Sequence, residues 1–299
     1  MKYTIGFFIA FLVPFALFGN GNSENPNRKL MLHGIQFQGG FLHAMNYPGS
    51  LAYLQALVPD AEIWQSQSFE GYHSWPTTTW TNSGVAGVSV LFRFAEPGSR
   101  SQSREPQFRL GIRYQGNHYD FFNANRSEAF LIDSLYNGQG EVIGHIDSVE
   151  AHFYHLFYKS DQLHVDFSMI YSTRPDLRFT LFGGIGVAGG FSTRSWLQIN
   201  HYTRTYSSSH IRDYGYADHY QHYFYLNPHR TLEQAPGNAA ATFYLPMGLR
   251  FRLGQHGSRL EHVQLSYELQ PCIQGIFIRG FDPLVQTGVM QSIGISLQW

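Results

Sequence analysis

Histidine and aspartate concentrate in one stretch of the chain, and both residue types can bind metal ions or transfer protons. The stretch contains His201, His210, His219, His222, His229, Asp213 and Asp218. Imidazole and carboxylate groups bind zinc and copper, but these spacings match no standard metal site. A Tyr- and His-rich exposed loop is the alternative, and it is the interpretation we favour. We therefore expect no metal and no cofactor.

A hydroxyl group lies next to a histidine in the same stretch, where residues 207–210 read "SSSH". Ser, His and Asp together can form the nucleophile, base and orienting group of a hydrolase. That chemistry requires the nucleophile and the base to lie within hydrogen-bond reach, which this short motif does not establish. We expect a protein that is not an enzyme.

Aromatic residues mark the first long connecting segment, which carries Trp64, Tyr72, Trp75 and Trp80. Such side chains can stack on sugars or anchor a protein partner, so these four are candidate recognition residues. The alternative is that they pack the segment against the body of the fold.

The composition indicates a β-rich protein. Of 299 residues, 16% are aromatic, 14% are charged and 30 are glycine, and the net charge is -1. This mix suits pleated surfaces and tight turns. Without an excess of positive charge, the chain has no electrostatic basis for binding nucleic acid. Its single cysteine, Cys272, can form no intrachain disulfide.

The N-terminal residues predict a secretory signal. Lys2 precedes the apolar run "YTIGFFIAFLVPFALFG", after which the chain turns polar. The run is short for a spanning helix and is broken by Pro14, so we expect a signal peptide over residues 1–19. An interfacial anchor is the alternative. The remaining residues, 20–299, are expected to form one domain.

Eight segments alternate between apolar and polar or small residues, which is typical of β-strands. They are "LMLHGIQFQGGFLHA", "VAGVSVLFRFA", "FRLGIRYQ", "LHVDFSMIY", "RFTLFGGIGVAGGFSTRSWLQI", "AATFYLPMGLRFRLG", "HVQLSYELQPCIQGIF" and "LVQTGVMQSIGISLQW". In the fifth segment, the alternation assigns Phe191, Leu197 and Ile199 to one apolar face and Arg194 to the opposite face.

Short and long connecting segments alternate along the chain. The long ones are residues 47–82, 121–147 and 202–237, and the short ones contain "EPGSRSQSRE", "TRPD" and "GQHGSR". This rhythm predicts an all-β fold, a closed antiparallel up-and-down transmembrane β-barrel of eight strands. Residues 148–158 and 214–226 could add strands and give ten. A soluble sandwich, with its apolar faces inside, is the alternative for any single strand.

In a membrane barrel the polar face of each strand lines the interior. Arg113, Asp166, Arg250 and Glu268 would then form a lumenal charge network. Arg113 and Asp166 lie on neighbouring predicted strands and are the first expected ion pair, and Glu268 and Arg250 also lie on adjacent strands. Buried charges require partners because desolvating an unpaired ion is costly. We expect these side chains to fill the lumen.

The signal-like start and three later stretches resemble the small outer-membrane β-barrel proteins of Gram-negative bacteria, particularly those of the Bacteroidota. The stretches are "LFGGIGVAGGFS", "LHVDFSMIYSTRPDLRF" and "SIGISLQW". The resemblance implies an outer-membrane location, with membrane lipid and the barrel-assembly machinery as partners. It also implies that the last strand is the assembly signal, carried by Ile293, Ile295, Leu297 and Trp299.

The expected function is a structural or surface-recognition role in the outer membrane, with an extracellular ligand that the sequence does not identify. Two alternatives stay open. One is a hydrolase of lipid or lipopolysaccharide with residues at the outer rim of the barrel, and the other is a narrow pore.

Overall fold

Twelve strands and two short helices make up the described part of the chain. The computed structural model describes residues 29–46, 50–66, 68–74, 79–95, 106–173, 177–211, 215–217, 224–254, 257–258 and 260–299, so the expected signal peptide lies outside the described residues. The strands are β1 (Lys29–Asn46), β2 (His73–Ser74), β3 (Thr79–Ala95), β4 (Gln107–Tyr136), β5 (Val142–Ser172), β6 (Phe179–Ile211), β7 (Gly215–Ala217), β8 (Phe224–Gln234), β9 (Asn238–Tyr244), β10 (Met247–Arg252), β11 (Val263–Ile278) and β12 (Leu284–Gln298). The helices are α1 (Leu51–Leu57) and α2 (Glu62–Ser66).

The strands form one antiparallel sheet that closes on itself as a ring of eight. The ring runs β1, β3, β4, β5, β6, β9 with β10, β11 and β12, and β12 pairs with β1. Strands β9 and β10 share one position because Leu245 and Pro246 interrupt them. Proline lacks the N–H that a ladder requires, but hydrogen bonds from Gly184 N to Pro246 O and from Leu245 N to Pro271 O hold both neighbouring strands together.

The predicted all-β fold and its eight positions are confirmed, and no further strand enters the ring among the described residues. Residues 148–158, considered as an extra strand, lie within β5. Strands β7 and β8 both pair with β6, and β2 pairs with β4, so these three extend the sheet beside the ring.

Two of the predicted long loops are wrong, because most of residues 121–147 and 202–237 are strand. Strands β4, β5 and β6 have 30, 31 and 33 residues. Strands β5 and β6 stay paired and antiparallel from the Ser172–Phe182 pair to the Gly144–Ile211 pair. At about 3.3 Å per residue, a strand of this length spans roughly 100 Å. These three strands therefore extend as a sheet well beyond the ring.

Side chains alternate between the two faces of the ring, and the inner face is polar. Arg109, Arg113, Asp166, Glu268, Gln115, Gln162, Gln270, Gln274 and Gln286 are all buried inside. The outer face exposes large apolar side chains instead, among them Phe37, Phe41, Ile112, Val165, Phe179, Leu181, Ile185, Phe191, Phe243, Leu249, Ile273, Ile293, Ile295 and Leu297. We call these outward side chains the apolar belt. The polarity of the ring is thus the reverse of that of a soluble sandwich.

A β-bulge on β6 corrects one face assignment. Asp161 pairs with Arg194 and Gln162 pairs with Ser192, so Thr193 is the extra residue. One inserted residue shifts the alternation by one position. Leu197 and Ile199, predicted to share a face with Phe191, are therefore buried on the inner side, whereas Arg194 is exposed on the outer side.

Helices α1 and α2 lie in the β1–β3 connection and cover one end of the ring. Leu54, Leu57, Val58 and Ala61 of this segment are buried in one cluster with inward side chains of the strands: Tyr119, Tyr154, Leu156, Tyr158, Leu197, Ile199, Ile276, Ile278 and Leu284. We call residues 50–66 and 68–74 the plug. Within the described residues, neither helix has the length and apolar character needed to cross a membrane.

Candidate functional site

The lumen of the ring is crossed by a buried ion pair between Arg109 and Glu268. Arg109 Nη1 and Nη2 donate to the two carboxylate oxygens of Glu268 at 2.8 Å each, and Arg109 Nε donates to Ser168 Oγ at 2.9 Å. Strands β4 and β11, which carry the pair, are four positions apart in the ring of eight and so lie opposite each other. The interior is thus narrow enough for one Arg–Glu pair to span it.

A second ion pair joins neighbouring strands, as the sequence predicts. Arg113 Nη1 lies 3.0 Å from Asp166 Oδ2, and both side chains are buried. The Tyr244 hydroxyl donates to Asp166 Oδ1 at 2.6 Å, and the Arg113 guanidinium lies 5.4 Å from the centre of the Tyr244 ring. The Asp166 carboxylate on β5 therefore bonds to side chains of two other strands, β4 and β9.

The expected contact between Arg250 and Glu268 is replaced by the pair that Arg109 makes. Arg250 lies opposite Ser266 in the β10–β11 ladder, whereas Gly248 is the residue opposite Glu268. The Arg250 guanidinium packs over the Phe182 ring at 4.6 Å and makes no ion pair with any residue in the described part of the chain. Arg109, absent from the predicted network, is the residue that satisfies Glu268.

Amide side chains form a layer next to these ion pairs. Gln115 Nε2 donates to Gln274 Oε1 at 3.0 Å across the ring, and Gln286 Nε2 reaches the same oxygen at 2.6 Å. The layer continues from Gln162 to Asn238 at 2.7 Å and from Asn238 to the Tyr158 hydroxyl at 2.7 Å. Side chains with both donors and acceptors can link several strands at once without carrying charge.

The plug seals the end of the lumen next to the amide layer with apolar and aromatic contacts. Phe69 contacts Trp64, Tyr72, Phe122 and Tyr154, with ring centres 5.1 to 6.2 Å apart. Burial and the nearby Tyr72 hydroxyl raise the pKa of Tyr154 to about 12. Both hydroxyls therefore stay protonated near neutral pH.

The four predicted recognition residues separate into different environments. Trp64 and Tyr72 pack within the plug, which matches the packing alternative considered for them. Trp80 is 63% exposed on the outer face of β3. Trp75 lies outside the described residues.

Hydroxyl–histidine contacts occur far from the apolar belt. Ser134 Oγ lies 3.4 Å from His145 Nδ1 near the β4–β5 turn, and Thr203 Oγ1 lies 3.3 Å from His152 Nδ1. On β5, His152 and His145 are 11 and 18 residues beyond Leu163, or roughly 36 and 60 Å along the strand. Neither contact lies beside the apolar belt, where the predicted lipid hydrolase would need its catalytic residues.

The histidine-rich stretch is only partly described. His201 stacks on Tyr154 at 4.2 Å, and burial together with His152 and His229 lowers the pKa of His201. The side chains of residues 208–222 lie outside the described residues. They include Ser208, Ser209 and His210 of the "SSSH" motif and both aspartates, Asp213 and Asp218. Among the side chains that are described, no group of three or more His, Cys, Asp or Glu is arranged to hold a metal ion.

The predicted assembly-signal residues lie in one row on the outer face of β12. Ile293, Ile295 and Leu297 face outward beside Gly39, Phe37 and Ile35 of β1, respectively. Trp299 follows them, and its backbone N donates to His33 O at 3.0 Å. The row therefore borders the β1–β12 seam that closes the ring.

Comparison with known proteins assigns no relative. No protein-family model matches the chain, and no curated protein matches it.

Proposed function

We propose that this chain is an integral outer-membrane β-barrel protein with a lumen filled by side chains, and that it has a structural or surface-recognition role. The observation that carries the proposal is the reversed polarity of the ring. Two buried ion pairs and an amide layer lie inside, whereas phenylalanine, leucine and isoleucine face outward in a continuous belt. In water such a belt would expose a large apolar surface, but in a bilayer it meets hydrocarbon.

The height of the apolar belt supports the membrane assignment. Outward apolar residues run from Tyr171 to Leu163 on β5 and from Phe179 to Phe191 on β6. These stretches span about 26 and about 40 Å along the strands at 3.3 Å per residue. Strand tilts of 35 to 45° reduce them to roughly 20 to 30 Å, which brackets the apolar band of about 25 Å in outer-membrane barrels.

The arrangement of the strand ends gives the protein two distinct sides. The plug and the extended β4–β6 sheet lie at one end of the ring, which we assign to the cell exterior. The β3–β4, β5–β6 and β10–β11 connections lie at the opposite, periplasmic end. We propose the outer membrane as the location, with its lipid and the barrel-assembly machinery as partners and the outward row of β12 as the assembly signal.

The lumen favours a closed barrel over a pore or an enzyme. The Arg109–Glu268 pair spans it, the amide layer adds cross-links, and the plug covers the outer end. The Ser134–His145 and Thr203–His152 contacts lie far from the apolar belt. We therefore propose that the protein is neither a channel nor a lipid hydrolase.

Membrane insertion is tested with one matched pair of substitutions. Ile185 is 49% exposed at the middle of the belt on β6, and Leu131 is 63% exposed near the β4–β5 turn. An arginine at the bilayer midplane costs about 2–4 kcal/mol. We expect Ile185→Arg to reduce folding into lipid vesicles by about that amount, measured by heat-modifiable electrophoretic migration over a urea series.

Leu131→Arg is the control, and it is expected to fold into vesicles like the unsubstituted protein because its side chain lies in water. A soluble fold would give a different result. In that case the wild-type protein would show no heat-modifiable migration in vesicles, and Ile185→Arg would behave like Leu131→Arg.

A further inference from the structure

The outer face of the extended sheet carries a group of basic side chains just above the apolar belt. Beyond Leu163 on β5 and Phe191 on β6, the next outward residues include Lys159 and Arg194, and Arg230 lies on the same face of β8. Asp161 is the acidic residue among them. Arg194 lies directly opposite Asp161, and Lys159 lies two residues further along β5. Arg230 lies opposite Asn200, further out on the same face.

The charges in this group are not balanced locally. Partial burial and the positive charge of Arg230 lower the pKa of Lys159. Within the described residues, neither Lys159, Arg194 nor Arg230 forms an ion pair with a carboxylate. An anion that binds between Lys159 and either arginine would relieve the repulsion there, and phosphate groups are suited to Lys and Arg because they accept several charge-assisted hydrogen bonds.

Beyond Lys159 and Arg194, the same face presents a flat row of aromatic rings, and Arg230 lies level with one of them, His155. Phe153 and Tyr202 stack at 4.9 Å and 9°, Tyr202 and His155 at 5.4 Å and 13°, and His155 and Phe157 at 6.3 Å and 10°. The Tyr202 hydroxyl lies 2.8 Å from His155 Nε2, which holds the two rings in place. All four rings are half-buried, so part of each remains accessible.

Amide groups lie beside these rings. Gln198 Nε2 donates to Asn200 Oδ1 at 2.8 Å, and Gln198 and Asn200 are paired with Phe157 and His155 across the β5–β6 ladder. Rings that lie flat on a surface can contact the apolar faces of sugars. Gln198 is buried, and the half-buried Asn200 amide is the group that can bond sugar hydroxyls. The aromatic row thus offers the two contacts that a saccharide uses.

The order of these features along the strand matches the order of parts in one class of lipid. From the belt outward, Arg194 lies about 7 Å and Lys159 about 13 Å beyond the level of Leu163, at 3.3 Å per residue. The aromatic rings begin with Phe157 at about 20 Å, and Arg230 lies level with His155 at about 26 Å. We propose that the outer face of β5, β6 and β8 binds a phosphorylated glycolipid of the outer leaflet. Its acyl chains lie against the belt and its sugars on the aromatic row, and its phosphates lie on the two sides of Lys159, one toward Arg194 and one toward Arg230.

This inference rests on the proposed membrane location and is tested with the full chain in nanodiscs. The discs contain phosphatidylethanolamine with either lipopolysaccharide or the same glycolipid after enzymatic dephosphorylation, and bound lipid is counted by native mass spectrometry after detergent release. We expect the phosphorylated glycolipid to be retained at least tenfold more than the dephosphorylated form. Millimolar inorganic phosphate should compete weakly, because the acyl chains and sugars also contribute.

Substitutions locate the site. The triple variant Lys159→Gln, Arg194→Gln and Arg230→Gln should lose the preference, whereas Lys29→Gln, Arg126→Gln and Arg279→Gln, a triple with the same charge change at other exposed positions, should keep it. If the first triple does not fold, Tyr202→Ala, which leaves every charge in place, should still lower retention of the intact glycolipid.

The outcomes separate this inference from the proposed function. Equal retention of both lipids by a wild-type protein with heat-modifiable migration overturns the glycolipid site and leaves the membrane barrel standing. Equal loss in both triple variants also overturns the site. Failure of the wild-type protein to insert into any disc overturns both proposals.

Discussion

At the scale of single residues, the buried Arg109–Glu268 pair has the largest expected effect on stability. Each ion loses its hydration inside the ring, and that loss is offset by the two hydrogen bonds of 2.8 Å between them, by the bond from Arg109 to Ser168 and by the bond from Gln270 to Glu268. Removing one partner leaves the other as an uncompensated buried charge. The net stabilisation by the intact pair is therefore expected to be smaller than the destabilisation that either ion would cause if it were buried without the other.

We expect Glu268→Gln to lower the free energy of unfolding by about 3–5 kcal/mol, because Arg109 keeps its charge without a counterion. The double variant Arg109→Met with Glu268→Leu should recover most of that loss, since it removes both ions. Both values follow from urea unfolding in detergent micelles monitored by tryptophan fluorescence.

Arg126 provides the control, because it pairs at 2.6 Å with Glu128 while both side chains stay more than 40% exposed. Its replacement by glutamine should change the stability by no more than about 1 kcal/mol. Equal stabilities of Glu268→Gln and the wild-type protein would contradict a structural role for the buried pair.

The sequence supports one ion pair and misses the other for a geometric reason. Arg113 and Asp166 occupy adjacent strands, so alternation and strand order are sufficient to bring them together. Arg109 reaches Glu268 across the ring, and that distance depends on ring diameter and strand stagger, which no local pattern encodes. Arg109 lies on the polar face of the same strand as Arg113. The alternation therefore indicates that its side chain points into the lumen, but it does not identify its partner.

At the scale of elements, the plug packs on the strands through a buried cluster that includes two leucines of one short helix. Leu54 is fully buried in the cluster that joins α1 to the strands, whereas the adjacent Gln55 is exposed. A seven-residue helix is too short to be stable alone in water. Its structure therefore depends on the surface of the strands beneath it.

We expect Leu54→Asp to release the plug while the ring stays folded, because a carboxylate cannot be buried among leucine and isoleucine side chains without a partner. Chymotrypsin should then cleave after Trp64, Phe69 or Tyr72 at least tenfold faster than in the wild-type protein, as measured by mass spectrometry of the fragments.

Gln55→Asp introduces the same charge on the exposed side of α1 and should leave the cleavage rate unchanged. Heat-modifiable migration of both variants reports that the ring is intact. Resistance of Leu54→Asp to the protease would show that the plug is held by other contacts.

The sequence predicts the ring strands but not how far they continue or where their faces change. Alternation identifies the eight positions, because period-two patterns are strong where one face is apolar. It fails on β6 beyond Thr193, since the bulge exchanges inner and outer residues. It also fails at residues 121–147, where mixed polar and apolar residues form a strand that is held by cross-strand pairing.

At the scale of the whole molecule, the two ends of the ring should face different compartments. Gly138 lies in the β4–β5 turn, where an added Cβ meets no atom within 4 Å, and Ser258 lies in the β10–β11 connection at the opposite end. The native cysteine, Cys272, is buried, so an introduced cysteine can be labelled selectively. Sidedness can therefore be measured directly.

On intact Gram-negative cells that express the protein, a membrane-impermeant maleimide should label the Gly138→Cys variant and leave the Ser258→Cys variant unlabelled. Permeabilising the outer membrane should make the second variant reactive. Labelling of both variants on intact cells, or of Ser258→Cys alone, would contradict the proposed orientation.

The position of the plug in the chain has a consequence for the order of folding. Leu54 precedes all the strands that contribute to its cluster, which includes Leu156, Leu197 and Ile276, and these residues follow it by 102, 143 and 222 positions. Contacts between such distant residues form late, because the intervening chain must first become ordered. The helix has no surface to dock on until β5, β6 and β11 are assembled, so its docking is the closing step of maturation.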